Sequence, residues 1–126
     1  MSFEATLALH QAGRTAEAEQ GYRTLIAQKT PIVSAYSNLA AICIQTGRVD
    51  EATSLLQETV RLDPEFAQAF YNLGLALQKQ SRNEEALAAY ERAIALEPGM
   101  VDAHANLGIC FGALARYDEA IAKLQQ

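Results

Sequence analysis

Residues 67–98 read AQAFYNLGLALQKQSRNEEALAAYERAIALEP, and this stretch decides the architecture because it recurs at a constant offset on both sides of itself. Asn72-Leu73-Gly74 is matched 34 residues earlier by Asn38-Leu39-Ala40 and 34 residues later by Asn106-Leu107-Gly108. Glu85-Ala86 likewise maps onto Glu51-Ala52 and Glu119-Ala120. A period of this length means one supersecondary unit stacked on copies of itself. Within the stretch, Phe70, Leu73, Gly74 and Leu77 fall at i, i+3, i+4 and i+7, the spacing of one buried helix face. Ala86, Ala89, Tyr90, Ala93 and Ile94 repeat that spacing in a second helix, for which Asn83 is the expected cap.

The units on either side follow the same plan. Tyr36, Leu39, Ala40 and Cys43 face one way in the second unit, Thr46-Gly47-Arg48 breaks the helix, and Asp50 is placed to cap the next one. That helix buries Ala52, Leu55, Leu56, Thr59 and Val60 and stops at Asp63-Pro64, because the residue before a proline leaves helical geometry. The first unit is degenerate, as terminal repeats are, yet Gly13, Glu17-Ala18 and Tyr22 hold the register and Pro31 closes it. The fourth supplies His104, Leu107, Gly108 and Phe111, then Tyr117, Ala120, Ile121 and Leu124. The boundaries expected are 1–32, 33–66, 67–100 and 101–126 in a single domain, the last unit truncated. Small residues at Ala40, Gly74 and Gly108 make sense only if another helix crosses closely there, with Ala18, Ala52, Ala86 and Ala120 as the partner series.

Composition narrows the function. Half of the 126 residues are hydrophobic, enough for a substantial core. A formal net charge of -5 argues against nucleic acid or an anionic membrane as the main partner, since both require a positive footprint. No apolar run reaches the roughly 20 residues that span a bilayer, and no secretory leader is evident, so the expected location is cytoplasmic. Cys43 and Cys110 belong to units that are not neighbours, which places them beyond disulfide reach as buried thiols.

The chain resembles the tetratricopeptide repeat family. The family pattern W-x2-L-G-x2-Y, A-x3-F, P is echoed by Phe70-x2-Leu73-Gly74-x2-Leu77, Ala86-x3-Tyr90 and Pro98. It recurs as Tyr36-x2-Leu39-Ala40-x2-Cys43, Ala52-x3-Leu56 and Pro64, and as His104-x2-Leu107-Gly108-x2-Phe111 with Ala120-x3-Leu124. The resemblance implies an all-α, right-handed superhelical array of antiparallel helix pairs, an alpha-alpha solenoid of about 3.5 to 4 repeats. It also implies a concave groove, lined by the first helices, that holds a peptide or partner helix.

Asn38, Asn72 and Asn106 recur at one point of the first helix, and a row of side-chain amides offers donors and acceptors to an extended backbone. This row is similar to the asparagine ladder in the repeats of O-linked N-acetylglucosamine transferases. The alternative is that each amide bonds a neighbouring helix or water. Tyr71, Leu75, Lys79, Ala41, Gln45 and Ile109 complete the expected groove. With Lys79 the one base on that stripe and Asp102 nearby, a clamp for acidic C-termini is disfavoured. Arg14, Arg48, Arg82 and Arg116, each three residues before a Glu, are read as turn residues paired locally.

Catalytic means are poor: the histidines His10 and His104 lie far apart, and no phosphate loop or metal-spaced Cys/His cluster occurs. The expectation is a non-enzymatic interaction scaffold that needs no cofactor. A different reading makes the chain the N-terminal substrate-binding or oligomerisation segment of a longer glycosyltransferase, methyltransferase or sulfotransferase. Ala120, Ile121 and Leu124 form an apolar edge on which a second copy could pack.

Overall fold

Helical periodicity with short breaks yields helices joined by tight turns. The computed structural model describes residues 2–29 and 32–124, with Ala120 described by its backbone alone. Pro31 as a closing residue, and the side chain of Ala120, therefore lie outside the described residues. Among the described residues there are seven helices and no strand: α1 (Phe3–Gln11), α2 (Thr15–Ala27), α3 (Val33–Gln45), α4 (Val49–Leu62), α5 (Ala67–Lys79), α6 (Asn83–Leu96) and α7 (Val101–Leu124). They fall into two compact units, Met1–Pro64 and Glu65–Gln126.

One turn is used three times. After α1, α3 and α5, the residues Gly13, Gly47 and Ser81 take left-handed backbone angles, with φ of 81°, 82° and 61°. The N–H of the following arginine then reaches back to a carbonyl five residues earlier: Arg14 to Leu9 at 2.9 Å, Arg48 to Cys43 at 2.8 Å, Arg82 to Leu77 at 2.9 Å. Together with the bonds spanning three residues from Gly13 to His10, Gly47 to Ile44 and Ser81 to Gln78, this is the Schellman closure, which satisfies the last carbonyls and reverses the chain. The arginine is also the N-cap residue of the next helix in all three cases, without a side-chain cap bond. Asp50 and Asn83 are therefore not the caps expected from sequence. They sit within the first turn of α4 and α6, where the tight closure has already started the helix one or two residues earlier.

In the first unit, α1 packs on α2, α2 on α3 and α3 on α4. Tyr22, Leu39, Ile42, Cys43, Leu56 and Thr59 are fully buried. The buried threonines cost little because each hydroxyl donates to a carbonyl four residues back: Thr6 to Ser2, Thr53 to Val49, Thr59 to Leu55. In the second unit, α5 packs on α6 and α6 on α7 around Leu73, Leu77, Ala86, Tyr90, Ala93, Ala103 and Cys110. Both cysteines are free and buried, as expected. The first helices bury more than the face read from sequence: Ala35 and Ile42 in α3, and Ala69 and Ala76 in α5, form a second buried row.

The fourth unit departs from expectation. It contains no turn at Arg116, because α7 runs unbroken for 24 residues. The position matching Gly13, Gly47 and Ser81 is Ala115, the best helix former, for which the left-handed angle costs about 1–2 kcal/mol. The straight helix also carries a continuous apolar stripe, Ala103, Leu107, Cys110, Leu114, Tyr117, Ile121 and Leu124, at alternating spacings of four and three. Ala103 and Cys110 are buried, whereas Tyr117 is 63% and Leu124 87% exposed. His104 and Gly108, expected in the core, are exposed, and Phe111 is 52% exposed. The residues meant to cover them lie further along the same helix, with Leu124 about 24 Å from Gly108 at 1.5 Å per residue.

Candidate functional site

Each unit presents the sequence-predicted groove residues on its first helices. On α3, Asn38 and Ala41 are half-buried and Gln45 is exposed. On α5, Tyr71 and Leu75 are half-buried and Lys79 exposed, four residues apart and thus on one side of the helix. On α7, Asn106 is half-buried and Ile109 exposed. The structure joins α5 and α7 directly, since the Asn106 amide donates to the Tyr71 hydroxyl at 3.1 Å. Tyr71 in turn stacks obliquely on Tyr90, with ring centroids 5.9 Å apart. Burial and the nearby Asp102 carboxylate push the Tyr71 phenol up, so the hydroxyl stays protonated and can still donate.

The three asparagines have partners inside the protein. Asn38 donates to the Tyr22 hydroxyl at 3.3 Å, and Tyr22 also lies 3.1 Å from His10 Nδ1. Because the hydroxyl accepts from Asn38, its own proton is available to His10. Asn72 is 8% exposed and accepts from Gln68 at 3.2 Å. Two of the amides thus tie their helix to another, α3 to α2 and α7 to α5, and the third is held within its own helix. An amide has two N–H donors and two acceptor positions, so capacity for a ligand remains at Asn38 and Asn106.

Sequence reasoning missed a charged lattice in the first unit. Arg14 and Arg82 pair with Glu17 and Glu85 at 2.6 Å, the local pairing expected. Arg48 does not follow this pattern. Its two terminal nitrogens grip both oxygens of Glu19 at 2.7 Å, while Glu51 takes Arg23 at 2.7 Å and Arg23 also bonds Glu19. The hydrogen bond from Arg48 holds the Glu19 carboxyl down at about 2. The only available signal was that Glu19 and Arg23 stand four apart on one helix. Cys43 Sγ lies 3.6 Å from Glu51, and burial with that carboxylate pushes its thiol up, away from reactivity.

No described group of three His, Cys, Asp or Glu side chains could hold a metal ion. His104 donates from Nε2 to the Pro98 carbonyl at 3.0 Å and is not a packing residue, because the helix that should cover it runs on instead. Among the described residues, no helix is long and apolar enough to cross a membrane.

Three helix pairs, each closed by the same turn, define a helical-repeat protein. Residues 67–100 match the Tetratricopeptide repeat model and residues 41–81 the TPR repeat model, neither of which describes a catalytic family. Residues 41–100 are tetratricopeptide repeats. Solved structures agree: MamA superposes with a TM-score of 0.84 at 23% identity, over 95% of this chain and 70% of that one. The first TPR of Spaghetti (RPAP3), bound to the HSP90 peptide SRMEEVD, gives 0.84 at 25% identity over 89% of each chain. The O-GlcNAc transferase of Thermobaculum terrenum gives 0.79 at 23% identity, over 86% of this chain and 21% of that one. The fold is thus the α-solenoid of this family. No curated protein sequence matches the chain.

Proposed function

We propose that the chain is a protein-interaction scaffold that holds an extended polypeptide on the exposed side of its first helices. The observation that carries this reading is the pairing of Asn106 with Tyr71 at 3.1 Å. It fixes an aromatic ring and an amide side by side, with Leu75 and Lys79 about one and two turns further along α5 and Ile109 about one turn beyond Asn106 on α7. Apolar side chains there accept alternate residues of a strand-like peptide, and the amides accept its backbone. Asn38, Ala41 and Gln45 offer the same chemistry on α3, and Asn72 supports the site by holding Gln68. The peptide bound by the Spaghetti neighbour supports the general mode.

The ligand is unlike that acidic peptide, because Lys79 is the one basic side chain among these groove residues and the Asp102 carboxylate lies near Tyr71. A displayed random-peptide library should yield binders whose affinity falls about fivefold per lost bond, about 1 kcal/mol, in Asn106→Ala and Asn38→Ala. Unchanged affinity in both variants would sink the amide role. Selection of acidic C-termini would sink the stated specificity.

A further inference from the structure

We propose that the end of α7 is the seam of a two-fold dimer, in which a second copy's α7 packs antiparallel along Leu114, Tyr117, Ile121 and Leu124. A stripe alternating by three and four is the pattern of a helix that pairs lengthwise with another helix. On α7 the first part of that stripe already does so against α6, and the second part continues past the start of α6 with its side chains in solvent. The uncovered seam is thus continuous with an interface the fold has already built.

Its spacing names the occupant. From Leu114 to Tyr117 is three residues, from Tyr117 to Ile121 four, and from Ile121 to Leu124 three. This 3-4-3 order reads the same in both directions. An antiparallel copy therefore sets Leu114 opposite Leu124 and Tyr117 opposite Ile121, twice over, with every apolar side chain meeting another. A groove of about 370 Å³ beside the start of α6, lined by Arg82, Glu84, Glu85, Leu114, Tyr117 and Ile121, lies where the second copy's Leu124 would arrive. Charge agrees with this placement. Lys123 is in the last turn of α7, and Glu84 is in the first turn of α6 beside the Arg82–Glu85 pair, with Asp118 also lining the groove.

Sedimentation equilibrium of the 126-residue chain, read over a wide concentration range, should show a monomer–dimer equilibrium. Tyr117→Glu with Ile121→Glu should weaken it by at least tenfold while helicity by circular dichroism is unchanged. Val101→Glu, exposed at the other end of α7, should leave it as it was. Mixing Tyr117→Cys with Ile121→Cys should give the mixed disulfide in preference to either homotypic one. A monomer at every concentration overturns the proposal. So does a dimer indifferent to the paired Glu substitutions, or a preference for homotypic disulfides, which would mean a parallel or different seam.

Discussion

The Tyr90 ring occupies the space that a side chain at Gly74 would need: a Cβ built there would lie 2.5 Å from Tyr90 Cε1. Tyr90 is fully buried and its hydroxyl donates to Gln78 at 2.7 Å, so the ring cannot swing away without losing that bond. The two helices of the third repeat are thereby locked at one closest approach. The close crossing expected from the small residue is present, although the partner atom belongs to Tyr90 and not to Ala86.

Gly74→Ala should therefore destabilise the chain by about 1–3 kcal/mol, overpacking outweighing the roughly 1 kcal/mol gained in helix propensity. Gly108→Ala, at the equivalent position of α7, should do the opposite. A Cβ there meets nothing within 4 Å, so only the gain of up to about 1 kcal/mol remains. Urea denaturation of the two variants tests the pair, and effects of the same sign would mean that Gly108 is covered.

Tyr22→Phe should cost about 1–2 kcal/mol, since one hydroxyl serves both Asn38 and His10 and its loss leaves two half-buried groups short of a partner. Thermal unfolding reads the change, and a loss below a few tenths of a kcal/mol would mean that water replaces the hydroxyl.

The Glu19 lattice should make the first unit sensitive to acid. The folded carboxyl titrates at about 2, below the ordinary 4.5, so its stabilisation is complete above pH 4.5 and is lost as the pH falls towards 2. Glu19→Gln should lower the urea midpoint at pH 7, with the gap from the parent chain closing towards pH 2. A gap that did not narrow on acidification would contradict the pairing with Arg48.

Ala115→Gly should open a turn in α7, because glycine is what Gly13 and Gly47 already supply at that point of the closure. Loss of helical chemical shifts over residues 113–116 would show it. Unbroken helix in the variant would mean that the apolar stripe alone keeps α7 straight.

Much of this was legible from the repeat. The period set the number and order of helices up to α6, and Leu39, Ala52, Leu73 and Tyr90 are buried as their spacing predicts. Helix starts were misplaced because the Schellman turn hands over to the next helix at the arginine, so Asp50 and Asn83 fall inside the first turn and not at the N-cap. The fourth unit misled because the consensus positions survive at Leu107, Gly108 and Ala120 while the turn residue does not. A single alanine at position 115 outweighs the rest, since a turn depends on one backbone angle and a packed face on many side chains. Asn38 and Asn106 were recognised as a series, but their tyrosine partners were not, because Tyr22 and Tyr71 lie 16 and 35 residues away.

The claim that the first helices receive a polypeptide is tested most directly by amide and methyl NMR shifts of the labelled chain, titrated with a library-selected peptide. The account predicts the largest changes at Tyr71, Leu75, Lys79, Asn106 and Ile109, and their loss of saturation in Tyr71→Ala. Changes confined to the exposed residues Glu91 and Arg92 of α6 would contradict it.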